Sequence, residues 1–491
     1  MKLIKSNPRF RYFLILPTPY SLLLSLLLIL SCSPRYSVLS YISSRHFKMI
    51  DEILEDTLMQ KGTTGIMIIS AATGEVLYER NGCKFFSPAS NIKLLTTAGA
   101  LFMLKPEFRF KTPLLTDGLI SGDTLKGNII LQGKGDPTLD TEKFTKLVKR
   151  LKLIGINTIE GDVLFDDMYF DNIPYGRGWM WNDFEYGFGA PISALSVNKN
   201  SCQISVKPEK NNGDSVTVYI EPKTNFIFLR NEAITGDTDN LTVKRIFENN
   251  KNVILIRGTL PVQTATKRYI RSIEKPSLYV ASLFAEKMKE NGITITGRIK
   301  KGFATQLHDT LLINQSEPLI KILYDLNKES SNFIAEHILK TIGAEAVDLP
   351  GTAEKGIKAI EAFMKEKGIT KEDFIQRDGS GLSRYNLISP RQITSLLFYL
   401  YHRFEYAPEL LTVLPTGGVD GTLRNRMREE GIIRKVRAKT GTMSNVSTLS
   451  GYCVTNSGKV LIFSIMMKDY IASPSYVRDL QDKIIKTLIK F

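Results

Sequence analysis

Apolar and polar positions alternate in recognisable ways at both ends of the chain, with a long mixed stretch between. Residues 47–60 set Ile50, Ile53, Leu54 and Leu58 at helical spacing, and Gly62 can end that helix. Two strand-like runs follow, 65–70 and 76–80, and Thr73-Gly74 between them predicts a hairpin. Near the C-terminus, residues 436–443, 447–455 and 460–467 alternate or run apolar, and Asn456-Ser457-Gly458 turns the last pair. A final helix is predicted over 474–489, with Tyr476, Leu480, Ile484, Leu488 and Ile489 on one stripe. Strands at both ends can complete a single sheet, which makes the middle of the chain an insertion.

That middle carries an internal echo. A helical run ends in Gly155-Ile156 and is followed by Gly161; another ends in Gly292-Ile293 and is followed by Gly297. Each reads helix, turn, strand, turn, strand, and two such units pack naturally as one small α+β domain. The expected division is therefore a body of residues 46–112 and 312–491, an inserted α+β domain of 113–164 and 276–311, and a nested β-rich module over 165–275. Within the module, 203–206, 215–220 and 253–256 look strand-like.

Length agrees with several domains, since 491 residues exceed what one core usually holds. A hydrophobic content of 43% with 23% charged residues is that of a globular chain, neither disordered nor a membrane bundle. The net charge of +15 invites a nucleic-acid reading, but Lys2, Lys5, Arg9 and Arg11 supply four of those charges in a leader, leaving +11. The remaining basic residues are dispersed, without a long Lys/Arg run or zinc-finger spacing, so nucleic acid is set aside. An anionic wall polymer or membrane surface suits the charge as well.

The leader, 1–31, has a basic start and the apolar stretch 21–30, the pattern of a secretory signal peptide. Ile29-Leu30-Ser31-Cys32 resembles a lipoprotein cleavage box, after which residues 32–45 would serve as a tether. A lipidated Cys32, an uncleaved anchor and a released chain all place the body outside the cytoplasm, in the periplasm or cell envelope. Cys83, Cys202 and Cys453 are too few and too scattered for a disulfide framework and read as small buried apolar residues. His46, His308, His337 and His402 show no metal-binding spacing, so neither a metal nor another cofactor is expected.

Three motifs carry the chemistry. Ser90-Asn91-Ile92-Lys93 precedes a buried-looking helical run, 94–102, and a spacing of three sets Ser90 and Lys93 on one face. A serine at a helix start lies where backbone N–H groups favour an oxyanion, and a lysine whose pKa is depressed can serve as its base. Lys439-Thr440-Gly441-Thr442 falls within the predicted strand 436–443; a lysine, a hydroxyl and a glycine on an edge strand can hold a peptide carboxylate and lend a backbone N–H. Ser330-Ser331-Asn332 heads the helical run 333–339. Taken singly, these read as an ordinary helix start, a polar strand end and an N-cap. A second Ser-x-Asn, Ser196-Val197-Asn198, is rejected because it falls in the nested module. Trp179 and Trp181 read as packing residues at a domain junction.

In combination and in that order, Ser-x-x-Lys, Ser-x-Asn and Lys-Thr-Gly are the signature of penicillin-recognising serine enzymes. Further residues narrow the match: 135–139, Trp181-Asn182-Asp183, 190–195, Asp378-Gly-Ser-Gly-Leu-Ser-Arg384 and 418–424. Over 47–491 the chain resembles the class C low-molecular-mass penicillin-binding proteins, the D-alanyl-D-alanine carboxypeptidase/endopeptidase family. The resemblance implies an α+β penicillin-binding (serine β-lactamase-like) domain, with an antiparallel five-stranded sheet flanked by helices and interrupted by a large two-part insertion. Ser90 and Ser330 stand 240 residues apart, as that insertion requires and as a class A β-lactamase would not allow.

Carried over residue by residue, the resemblance implies Ser90 as nucleophile and Lys93 as its base. Ser330 would relay a proton to the leaving amine, Asn332 would bind substrate amide, and Lys439 with Thr440 would hold the terminal carboxylate. Gly441 allows close approach, and the N–H groups of Ser90 and Thr442 would form the oxyanion hole. Asp183, Phe188 and Arg384 match positions that bind the diamino acid of the stem peptide, while Ser444 stands where some relatives have glutamine. The implied partners are peptidoglycan stem peptides, β-lactams as inhibitors, and a membrane only through an N-terminal anchor. The balance between carboxypeptidase and endopeptidase work stays open, and the rival from another class is an inactive wall-binding or β-lactam-sensing lipoprotein.

Overall fold

Five strands drawn from the two ends of the chain form one antiparallel sheet in the computed structural model, which describes residues 47–57, 59, 61–370 and 372–491. The predicted leader and tether lie outside the described residues, as does Leu58. From one edge to the other the strands are Val436–Met443, Val446–Val454, Val460–Lys468, Thr63–Ser70 and Val76–Arg80. Every neighbouring pair is antiparallel; Ile66 faces Ile465, and Lys439 faces Ser450.

The central strands are buried on both faces, which explains the near-continuous apolar runs of Thr63–Ser70 and Val460–Lys468, while Val446–Val454 buries Ser447, Thr448 and Ser450 among its apolar residues. Period-two alternation sends Ile66 and Ile68 to one layer with Ile50, Leu54, Phe463, Leu480 and Ile484. Met67 and Ile69 go to the other, with Leu94, Leu95, Ile338, Leu396 and Met466. Each fully buried Leu, Ile or Phe in these layers contributes roughly 1.5–3 kcal/mol. The C-terminal helix, Pro474–Ile489, is capped by Ser473, whose side chain accepts from Tyr476 N.

Two expectations need correction. The first helix covers 47–54, not 47–60; the chain turns at Asp56 so that Met59 enters the core beneath the sheet, 3% exposed, and Gly62 N donates to Met59 O before the first strand starts. Cys202 and Cys453 are buried, but Cys83 is exposed on the turn after Val76–Arg80, its sulfur 3.6 Å from Glu79 Oε1.

Between the sheet-forming ends, helices Thr141–Leu153 and Pro276–Glu290 pack through Phe144 and Phe284, ring centroids 5.4 Å apart. The strands after each helix lie side by side in parallel: Thr158 faces Thr294, and Val163 faces Ile299. The echo in the sequence is thus expressed as two adjoining copies of one helix–strand–strand unit. Between these units run two three-stranded sheets. One has Ser201–Lys207 flanked by Thr217–Glu221 and Lys267–Ser272; the other has Lys251–Leu260 flanked by Ile227–Thr235 and Thr242–Glu248. Among the described residues no helix is long and apolar enough to cross a membrane.

Candidate active site

Pro88 opens a 3-10 turn, Ala89–Ile92, which runs directly into the α-helix Lys93–Gly99. Ser90 therefore sits in a tight turn ahead of the helix. Residues three apart eclipse in such a turn, and Lys93 Nζ lies 2.9 Å from Ser90 Oγ. Every residue of 93–99 is buried, so the lysine is carried into the core with its helix. Ala89 holds φ +45°, a left-handed conformation that costs a residue with a Cβ. Gly381 packs against its carbonyl so closely that any Cβ there would overlap it.

Ser330 is left-handed too, φ 58° and ψ 40°, where helix Leu319–Glu329 ends. Ser331 then caps helix Asn332–Ala346 by accepting from Ile334 N. This corner brings Ser330 to the edge strand: Lys439 Nζ donates to Ser330 Oγ at 2.8 Å and to Thr440 O at 3.0 Å. Asn332 Oδ1 accepts from Lys93 Nζ at 2.7 Å, while its Nδ2 donates to Phe188 O at 3.1 Å. The third partner of Lys93 Nζ is the carbonyl of Ser380.

Gly441 is where the edge strand meets the Ser90 turn. A Cβ on it would overlap Thr448 Oγ1 and lie 2.9 Å from both Ser90 N and Pro88 O. Thr448 Oγ1 in turn donates to Pro88 O at 2.8 Å, tying strand to turn. Thr442, one residue on, is exposed beside this junction. The Thr440 hydroxyl donates to Thr422 Oγ1 at 2.7 Å, a partner the sequence analysis did not assign.

Burial dominates the electrostatics. It lowers Lys93 from its ordinary 10.5 to about 7, against the opposing pull of the Asp378 and Glu336 charges. Lys439 is held well below its ordinary value by burial first and then by the charge of Lys93. Burial, followed by the Asp378 charge, raises Glu336 to about 7. Glu336 Oε1 accepts from Gly379 N and Ser380 N at 2.9 and 2.8 Å, fixing the loop whose Ser380 carbonyl meets Lys93. Sequence reasoning missed this carboxylate, although a Glu four residues after Asn332 lies on the same helix face.

Asp378 organises the same loop. Its carboxylate accepts from Gly381 N, Ser383 N and Asn386 Nδ2 at 2.7–2.9 Å and from Trp179 Nε1 at 2.9 Å. Trp179 is buried, whereas Trp181 is 83% exposed, so the packing role expected of both holds for Trp179 only. Their neighbouring turns separate the two indoles: Trp179 closes a turn on Gly176, and Trp181 starts the 3-10 turn that carries Asp183.

Burial holds the Asp183 carboxyl above its ordinary range, opposed by a backbone hydrogen bond and the Arg384 charge. Arg384 Nη1 donates to Ser444 O at 3.3 Å, and Phe188 stacks on Tyr186 with ring centroids 5.4 Å apart. The rejected Ser196 is buried, its hydroxyl donating to Ser193 O and accepting from Asn200 Nδ2. No group of three or more His, Cys, Asp or Glu able to hold a metal ion occurs among the described residues.

Residues 47–490 match the D-Ala-D-Ala carboxypeptidase 3 (S13) family. The chain is 33% identical over 434 residues to the D-alanyl-D-alanine carboxypeptidase of Actinomadura sp. (strain R39), covering 85% of this chain and 80% of that one. It is 27% identical to the D-alanyl-D-alanine carboxypeptidase DacB of Haemophilus influenzae, over 85% of this chain and 88% of the relative. The crystal structure of penicillin binding protein 4 (dacB) from Haemophilus influenzae superposes with a TM-score of 0.82 at 25% identity, covering 90% of this chain and 99% of that one.

Proposed function

The chain belongs to the D-Ala-D-Ala carboxypeptidase 3 (S13) family and is a serine-type D-alanyl-D-alanine carboxypeptidase acting on peptidoglycan peptides; we propose that it works through an acyl-enzyme on Ser90. The observation that carries this reading is the buried Lys93 Nζ, in hydrogen-bond contact with Ser90 Oγ, Asn332 Oδ1 and the Ser380 carbonyl. A neutral amine has two N–H donors and one lone pair. Asn332 and Ser380 take the donors, which leaves the lone pair for the Ser90 proton.

Ser90 Oγ attacks the carbonyl of the penultimate D-alanine while Lys93 takes the hydroxyl proton, and the oxyanion forms against the N–H groups of Ser90 and Thr442. The C–N bond breaks, Ser330 passes a proton to the leaving amine, and D-alanine departs. Water then hydrolyses the ester and restores Ser90. Lys439, with Thr440, receives the terminal carboxylate; an incoming anion favours the ammonium form that burial resists. Asn332 binds substrate amide, while Asp183, Phe188 and Arg384 line the subsite for the diamino acid. A β-lactam presents a strained amide and a carboxylate to the same groups and is trapped as the ester. The same acyl chemistry serves D-alanyl cross-links.

A wall-acting peptidase of this family works in the cell envelope, and Cys32 is the residue through which it would be lipid-anchored. Release of D-alanine from a D-Ala-D-Ala-terminated pentapeptide tests the function. The full chain should turn the peptide over and Ser90→Ala should not. Stoichiometric β-lactam binding without peptide turnover would instead make the protein a sensor.

A further inference from the structure

A cleft of about 1700 Å³ starts at Ser330, Ser331 and Asn332 and continues across the outward face of the sheet formed by Thr217–Glu221, Ser201–Lys207 and Lys267–Ser272. Pockets for small ligands are usually about 300–1,000 Å³, so the end of one peptide would not fill it. Alternate residues of the central strand, Cys202, Ile204 and Val206, are buried in the core. The opposite face therefore looks into the cleft. On that face the register sets Tyr219 and Arg268 either side of Ser205, and Glu221 and Ile270 either side of Gln203.

This floor is built to be covered. Tyr219 is 61% and Ile270 56% exposed, large side chains on the two outer strands of this sheet face. It is also continuous with the catalytic corner. The loop carrying Phe188, whose carbonyl is held by Asn332, sits on the sheet at Gly187, where a Cβ would meet Ile270 Cγ2 at 2.5 Å. The Arg271 guanidinium lies 4.8 Å over Tyr186, which stacks on Phe188.

The charges in the cleft leave a positive excess. Lys199 pairs with Glu329 and Lys287 with Glu290, while Glu221 accepts from Gln203 and keeps one negative charge on the floor against the cations of Lys223, Arg268 and Arg271. Lys223 and Arg268 are exposed and have no ion pair among the described residues.

We propose that this sheet face is a binding site for an acidic peptide, the second stem peptide of cross-linked peptidoglycan, covalently joined to the strand being cut. The inference rests on the carboxypeptidase reading for the identity of the polymer. Tyr219 and Ile270 supply apolar contact, Lys223 and Arg268 meet the carboxylates of the second peptide, and the catalytic corner holds the first. The site thus selects cross-linked wall over free peptide without touching the reacting atoms.

The test compares a purified cross-linked muropeptide dimer ending in D-Ala-D-Ala with the matching monomer. Binding to the full chain carrying Ser90→Ala is read by calorimetry, and turnover by the chain with Ser90 intact is read as D-alanine release. The dimer should bind about tenfold more tightly than the monomer, and the gap should shrink with salt. Adding Tyr219→Ala and Arg268→Glu together should close the gap and raise KM for the dimer about tenfold. Monomer turnover and β-lactam acylation should stay unchanged, which also certifies folding. Equal binding of dimer and monomer before these changes, or a gap that survives them, overturns the proposal. A chain that binds the dimer selectively but fails to release D-alanine from the monomer contradicts the catalytic reading and leaves the sheet-face site standing.

Discussion

Replacing Lys93 by arginine separates a base from a mere cation. With its pKa lowered to about 7, Lys93 is neutral in about 9% of molecules at pH 6 and about 91% at pH 8, so acylation by penicillin should rise about tenfold between them. Stability should follow the same proton. A lysine at 10.5 when unfolded and about 7 when folded is protonated in both states below pH 7, where burying the ammonium costs about 5 kcal/mol. Between pH 7 and 10.5 the unfolded chain binds the proton and the folded one does not, so that cost fades and stability rises with pH. Arginine keeps the positive charge and cannot release its proton. Lys93→Arg should therefore lose about 10²–10⁴ of the acylation rate, the usual worth of general base catalysis, together with the rise through pH 7. The assay is the second-order rate of penicillin acylation from pH 5.5 to 9, with a thermal melt to show that the variant is folded. A folded Lys93→Arg protein that acylates within threefold of wild type would show that Lys93 is not the base.

Three further outcomes follow from neighbouring contacts. Glu336→Gln removes a carboxylate whose charge favours the ammonium of Lys93, so the midpoint of the acylation profile should move below its wild-type pH; an unmoved midpoint would show that the two groups are not coupled. Gly441→Ala sets a methyl against Thr448 Oγ1 and close to Ser90 N, and the displaced strand should cost about 10²-fold in acylation rate, whereas near wild-type kinetics would mean the strand has slack. Cys32→Ser should abolish incorporation of labelled lipid, and mass spectrometry finding an unmodified N-terminus elsewhere in the wild type would reject the anchor.

What could be read from the sequence depended on how each group does its work. Strands 65–70 and 460–468 announce themselves because burial on both faces demands nearly unbroken apolar runs. Ile227–Thr235, Thr242–Glu248 and Lys267–Ser272 escaped because they bury only scattered residues among charged ones, so neither period stands out. In the site, Ser90, Lys93, Ser330, Asn332 and Lys439 meet through side chains at the spacings of the three motifs. Ser380 contributes a backbone carbonyl, which any residue would supply, and only the fold shows where it points. Glu336 and Thr422 meet their partners through folding alone, across 43 residues in one case and 18 in the other. Exposure was the least legible property: Cys83 and Trp181 are residue types that prefer the interior, yet their local turns leave them in solvent.

Ser90 as the acylated nucleophile is tested by reacting the protein with penicillin, digesting it and mapping the adduct by mass spectrometry. The penicilloyl mass should fall on the peptide containing Ser90 and disappear in Ser90→Ala, while Ser330→Ala slows labelling without moving it. An adduct on Ser196, Ser331 or any other serine would contradict the account.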